Sequence, residues 1–281
     1  MSKRTLVTLI IFLVLGVLAG VLFGTVFCLR SQSVTVLGET PVDISKEEII
    51  SAAGLKNSQS IFMIDKEKAI ANIEAKHAKI KVVQIKTISI TEIEIRVRAR
   101  HEMFFTEYNK NFYVMDEELK VLNIIAESEE RGVSNKPTNL IEIPATNLNI
   151  NASTLKCDFV GGNAQNAIYE LYHSIINNVK KVEDGNNVYY SRADVFNIIK
   201  EVELVQFSSF TKILVKTKYG VMLDIENPNE NMTDKMNTCL SAIKYLQEEG
   251  KQREQSGTIK IYYELDNTQV NVYIPETNQG E

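Results

Sequence analysis

The chain has 281 residues and carries 31 Lys+Arg against 36 Asp+Glu, a net charge of −5 with histidine neutral. An acidic balance without basic clusters excludes nucleic acid as the main partner, because phosphate neutralisation needs grouped Lys and Arg, and it excludes broad adhesion to anionic lipid. Three cysteines and three histidines, none at metal-ligand spacing, exclude a disulfide framework and a metal motif.

The first element is an uncharged run of 25 residues, Thr5–Leu29, with Lys3 and Arg4 before it and Arg30 after it. At about 1.5 Å per residue it is long enough for a hydrocarbon core of about 30 Å, which predicts a transmembrane helix over 5–29. The run is too long for a secretory signal. Its end, Thr25-Val26-Phe27-Cys28-Leu29, has no small-residue cleavage site, so an uncleaved anchor is expected. Lys3 and Arg4 put the tail, residues 1–4, in the cytoplasm and everything after the run outside. Gly16, Gly20 and Gly24 lie four apart, a row suited to a membrane-helix contact, although glycine is common in membrane helices in any case. Without Lys3, Arg4 and Arg30 the remainder holds 28 basic and 36 acidic residues, a net charge of −8. If that remainder is extracytoplasmic, Cys157 and Cys239 could form one bridge; the alternative is two free, partly buried thiols.

Residues 31–101 read as a compact α+β module. Ser33-Val34-Thr35-Val36-Leu37-Gly38 alternates and ends on glycine, as a short strand does. Ser45-Lys46-Glu47-Glu48 fits a capping box, with Ile44 and Ile49 placed as a hydrophobic staple and Gly54 as the helix stop. A second helix starts after Asp65 and carries Ala69, Ile70 and Ile73. Two strands follow: 81–88, with Val83 and Ile85 on one face, and 93–100, with Ile93, Ile95, Val97 and Ala99 inward. Arg96, Arg98 and Arg100 line the outward face of the last strand. They are either a solvated strand face or a secondary docking surface for an acidic segment or lipid headgroups.

This order, strand–helix–helix–strand–strand directly after an apolar helix, resembles a POTRA domain of the FtsQ/DivIB family of bacterial cell-division proteins. The residues that carry the resemblance are Val34-x-Val36-Leu37-Gly38, Ile44-Ser45-Lys46-Glu47-Glu48-Ile49 and Ile95-Arg96-Val97-Arg98-Ala99-Arg100-His101-Glu102. In the last of these, Arg100 fits the family ending, while Ala99 replaces its usual acid and Glu102 its usual proline.

Residues 102–274 read as a β domain. Two aromatic-rich strands around Asn109-Lys110-Asn111 suggest a hairpin. Met115-Asp116 and Val121-Leu122 match the family, with Leu119 where glycine is usual. Leu140–Pro144 is a short strand stopped by proline. A helix carries Ile168, Leu171, Tyr172 and Ile175. The densest part of the resemblance is Val202 to Tyr273. It holds the strand Lys212–Thr217, a turn at Lys218-Tyr219-Gly220 and the strand Val221–Ile225. A helix follows with the stripe Met232, Met236, Leu240, Ile243 and Leu246. Two last strands, Gly257–Tyr263 and Gln269–Ile274, close the domain, and 275–281 is a tail. Lys235 matches an early lysine of the family helix, while Lys260 replaces an aspartate.

No nucleophile, metal or phosphate-loop motif occurs, so neither a catalytic residue nor a cofactor is expected. The resemblance implies a non-catalytic scaffold of the divisome at the septum. Its implied partners are FtsL-like and DivIC/FtsB-like bitopic proteins, and through them the septal peptidoglycan synthase complex. The fitting contact is β-augmentation at a sheet edge. The candidate surface is Ile259, Ile261, Tyr262, Tyr263, Val270, Val272 and Tyr273, of which strand alternation lets about half reach a partner; the bland reading makes them core. Alternatives from other classes are a POTRA-bearing translocation protein that handles extended polypeptides and a cell-wall enzyme.

Overall fold

The computed structural model describes residues 3–21, 26–38, 44–128, 130, 133–151, 156–159, 164–183, 185–206, 211–248, 257–263 and 269–275. The chain divides into two compact units, Met1–His101 and Glu102–Glu281, each with its own apolar core.

The first unit opens with helix α1 (Lys3–Val21), and here the structure corrects the sequence reading. Among the described residues no helix is long and apolar enough to cross a membrane. The 19 residues of α1, the first two charged, reach about 28 Å at about 1.5 Å per residue, short of a core of about 30 Å. The apolar run is not one element. Its far end, Phe27–Leu29, folds into the unit behind it: Leu29 is fully buried, and the Cys28 backbone pairs antiparallel with that of Ser60. The Leu29 amide donates to the Gln59 carbonyl at 2.8 Å, and the Ile61 amide donates to the Phe27 carbonyl at 2.8 Å. Apolar side chains that could face lipid thus meet protein instead. Gly16 and Gly20 stand in open space, and Gly24 lies outside the described residues.

Behind this segment come β1 (Ser31–Val36), α2 (Lys46–Ala53), α3 (Lys66–Lys76), β2 (Ile80–Ser89) and β3 (Glu92–Ala99). The Ser45 hydroxyl accepts from the Glu48 amide and the Glu48 carboxylate accepts from the Ser45 amide, so the capping box is complete. Hydrogen bonds from Ser45 hold the Glu48 carboxyl below its usual range. Gly54, at φ 66°, ends α2 in the left-handed region that glycine enters without strain. Asp65 caps α3 by accepting from the Lys68 amide at 2.9 Å. The sheet order is β1-β3-β2, with β3 parallel to β1 and antiparallel to β2. Ile49, Ala53, Ala69 and Ile73 on the helices pack with Val34, Ile93, Ile95 and Val97 on the strands. One side-chain assignment shifts. In β2 the register slips between Val82 and Gln84, so Val82 and Ile85 are buried and Val83 is exposed. A bulge inserts one residue and reverses the alternation.

The second unit is a mixed nine-stranded sheet with helices on one face. Its strands are β4 (Phe104–Tyr108), β5 (Asn111–Met115), β6 (Val121–Ala126), β7 (Ile141–Glu142), β12 (Ile199–Gln206), β13 (Thr211–Thr217), β14 (Val221–Glu226), β15 (Gly257–Tyr263) and β16 (Gln269–Pro275). Two small ribbons stand beside it, β8 (Leu148–Asn151) with β9 (Lys156–Phe159), and β10 (Lys180–Glu183) with β11 (Asn186–Tyr189). The helices are α4 (Ala164–Asn178), α5 (Arg192–Ile198) and α6 (Met232–Glu248). The sheet order is β16-β15-β14-β13-β12-β7-β4-β5-β6. Ile168, Leu171 and Ile175 of α4 and Met236, Leu240 and Ile243 of α6 close one core over Val202, Val215, Leu223 and Ile261. The β4–β5 turn is Asn109-Lys110, both at positive φ (50° and 60°), the type I′ geometry that suits the strand twist. Leu119 keeps a left-handed φ of 61°. It is held there by burial and by Asp116, whose carboxylate accepts from the Glu118 and Lys120 amides at 2.9 Å each. Cys157 and Cys239 are both buried and form no disulfide, and burial pushes the Cys239 thiol far up.

Candidate functional site

The candidate site forms where the chain leaves its central hairpin. Strands β13 and β14 pair antiparallel around a turn at Gly220, where φ is 85°. Strand β15 then lies parallel to β14. A parallel neighbour needs a crossover, and α6 supplies it. The corner between β14 and α6 is tied by Lys235. This side chain is fully buried, and its ammonium donates to the carbonyls of Glu226 at 2.7 Å and Asn227 at 2.8 Å. Burial lowers the Lys235 pKa.

The last hairpin, β15–β16, pairs from Gly257↔Pro275 to Tyr263↔Gln269. This leaves β16 at the end of the sheet order, with no strand on its outer side among the described residues. Gly257 is required at the open end of this hairpin, opposite Pro275. A Cβ there would stand 2.7 Å from both the Ile274 carbonyl oxygen and Tyr273 Cε2, closer than any real contact.

Register divides the candidate residues between two faces. Ile259 pairs with Tyr273 and Ile261 with Asn271. Ile259 and Ile261 are buried in the core, and Tyr273 packs against it. These three are removed from the candidate surface, because their face of the sheet is the one that α6 and α4 cover. The opposite face carries the pairs Tyr262↔Val270, Lys260↔Val272 and Thr258↔Ile274. Val272 and Ile274 are 37% and 43% exposed, and Tyr262 and Val270 are half-buried. Tyr263 pairs with Gln269 at the hairpin's other end. Beside this patch Asp224 pairs in register with Lys260. Its Oδ2 accepts from Lys212 Nζ at 3.0 Å, while its buried Oδ1 has no hydrogen-bond partner among the described residues. Sequence reasoning omitted Ile274 and Asp224. The i, i+2, i+4 spacing of Val270, Val272 and Ile274 is the signal that finds the first. No local signal finds the second.

The arginine row is less available than alternation suggests. Arg100 Nη2 lies 3.0 Å from Glu74 Oε2 with the arginine side chain only 5% exposed, and its Nε donates to the Ile80 carbonyl. Arg96 pairs with Glu94 at 2.8 Å. Both are committed within the first unit, Arg96 on its central strand β3 and Arg100 just after it.

A family profile described as POTRA domain, FtsQ-type, matches residues 29–100. No curated protein matches the chain. Among solved structures, the major extracytoplasmic domain of the trans isomer of the cell-division protein DivIB from Geobacillus stearothermophilus is similar at 11% identity and a TM-score of 0.29. That match covers 54% of this chain and 98% of the DivIB domain. The first unit is thus a POTRA domain, a βααββ module in which two helices cover one face of a three-stranded sheet. It is of the FtsQ type.

Proposed function

We propose that this protein is a non-catalytic, extracytoplasmic scaffold of the bacterial divisome. In this reading the second unit is the partner-binding β domain. It captures FtsL-like and DivIC/FtsB-like proteins and so helps regulate septal peptidoglycan synthesis. The observation that carries the proposal is β16. It is an edge strand whose outer side has no paired strand among the described residues, with an exposed apolar row, Val272 and Ile274, in a chain with an FtsQ-type POTRA domain. Exposed, flat, apolar edges are normally blunted in proteins that must not pair. Left open, such an edge offers backbone hydrogen bonds for affinity and alternate side chains for specificity. The partner strand lies along the outer side of β16 and sets its own apolar residues beside Val270, Val272 and Ile274.

Replacing residues 269–274 by a Gly/Ser segment is expected to abolish co-purification of a DivIC-like partner while the POTRA domain stays folded. Undiminished co-purification would sink the edge-strand assignment.

A further inference from the structure

The second unit holds a basic cavity that lies on other strands than the β16 edge. It encloses about 540 Å³, within the size range of ligand pockets. Phe105, Pro137 and Leu140 contribute apolar surface; Phe105 belongs to a small cluster with Phe112 and Val114, against which Leu140 packs. Three lysines and one carboxylate surround it, Lys136, Lys200, Lys218 and Glu142. The lining is therefore basic on a chain whose net charge is −5.

The lysines are not an ordinary solvated face. Lys200 is the extra residue of a β-bulge: Ile199 pairs with Thr217 and Glu201 with Lys216, two residues on β12 against one on β13. Bulges re-aim side chains and gather near functional sites. Here the bulge lets Ile199 and Val202 both stay buried while Lys200 turns out to the cavity. Lys218 begins the β13–β14 turn, where its amide donates to the Ile198 carbonyl at 2.8 Å and its Nζ to the Thr138 carbonyl at 3.3 Å. Lys136 is neutralised, with Nζ 2.8 Å from Glu142 Oε2 and 5.4 Å from the Phe105 ring centroid. Lys200 and Lys218 have no carboxylate partner among the described residues.

We infer that this cavity binds an acidic peptide segment that carries an apolar side chain next to its carboxylate. Lysine ammoniums are point charges on flexible stems, without the planar fork that grips phosphate bidentately. A bare inorganic anion gains nothing from Phe105, Pro137 and Leu140. A glutamate or aspartate beside a phenylalanine or leucine uses both halves of the lining. It also supplies the negative charge that Lys200 and Lys218 lack.

The test uses the full-length protein and a dye-labelled hexapeptide alternating glutamate and phenylalanine, read by fluorescence anisotropy. The glutamine version of the peptide is expected to bind at least about tenfold more weakly. The double variant Lys200→Gln/Lys218→Gln is expected to weaken the acidic peptide about as much. Lys200→Arg/Lys218→Arg keeps the charge and should restore binding, and Lys46→Gln/Lys66→Gln in the first unit should leave it unchanged. Equal binding of the two peptides, or an unaffected glutamine variant with an unchanged melting curve, overturns the inference. So does complete displacement of the peptide by inorganic phosphate at equal concentration, which marks a simple anion site.

Discussion

Lys235→Met is expected to lower the unfolding free energy of the second unit by about 3 kcal/mol, read from urea unfolding at pH 7. The substitution keeps the apolar stem but removes the donor that the Glu226 and Asn227 carbonyls share. A buried acceptor left without a donor costs about 1–3 kcal/mol, partly offset here because a charge is no longer buried. The two carbonyls stand at the end of β14, where the chain turns through Asn227 and Asn231, both at positive φ. Their loss loosens the start of the crossover that delivers β15. A change below about 0.5 kcal/mol, the size of an ordinary surface substitution, contradicts the role given to this lysine. The pH dependence has a definite sign. Burial lowers the folded-state pKa of Lys235 below its ordinary value of 10.5. Between those two values the unfolded chain binds the extra proton, so stability contributed by this site rises as pH rises. The difference between wild type and Lys235→Met should widen across that alkaline window and stay level below it.

Gly257→Ala is expected to detach the C-terminal end of β16, opposite Gly257, without disturbing the sheet centre. The new Cβ would meet the Ile274 backbone carbonyl at 2.7 Å and the Tyr273 ring at 2.7 Å. A carbonyl in a paired strand yields only if the strand moves, and such overpacking costs about 1–3 kcal/mol. Hydrogen exchange should therefore quicken in residues 269–275 and remain slow in β13 and β14. Partner capture should fall along with β16 protection. Unchanged protection of β16 amides contradicts the need for glycine at this position.

The sequence disclosed whichever parts of the fold are local. Ser45 and Glu48 form a capping box that four residues specify, and Ile93, Ile95 and Val97 are buried as period two requires. What it hid depends on distant contacts. Val83 and Lys200 sit at register shifts, which alternation alone cannot announce, because a bulge is defined by the partner strand. The apolar run 5–29 reads as one segment. Yet Phe27 and Leu29 bond to Ile61 and Gln59, a choice between lipid and protein that composition does not encode. Ile259 and Val272 look alike in sequence. Only the α6 crossover decides that the first faces the core and the second does not. Arg100 reads as one of three outward arginines, but Glu74, on a helix 26 residues earlier, claims it.

Fluorescent localisation of the full-length chain in dividing cells tests membership in the division machinery most directly. A band at midcell that appears with constriction is the expected result, and the 269–274 replacement should weaken the partner's recruitment to that band. A uniform peripheral signal throughout the cell cycle, as expected of a POTRA protein that handles extended polypeptides, would contradict the scaffold assignment.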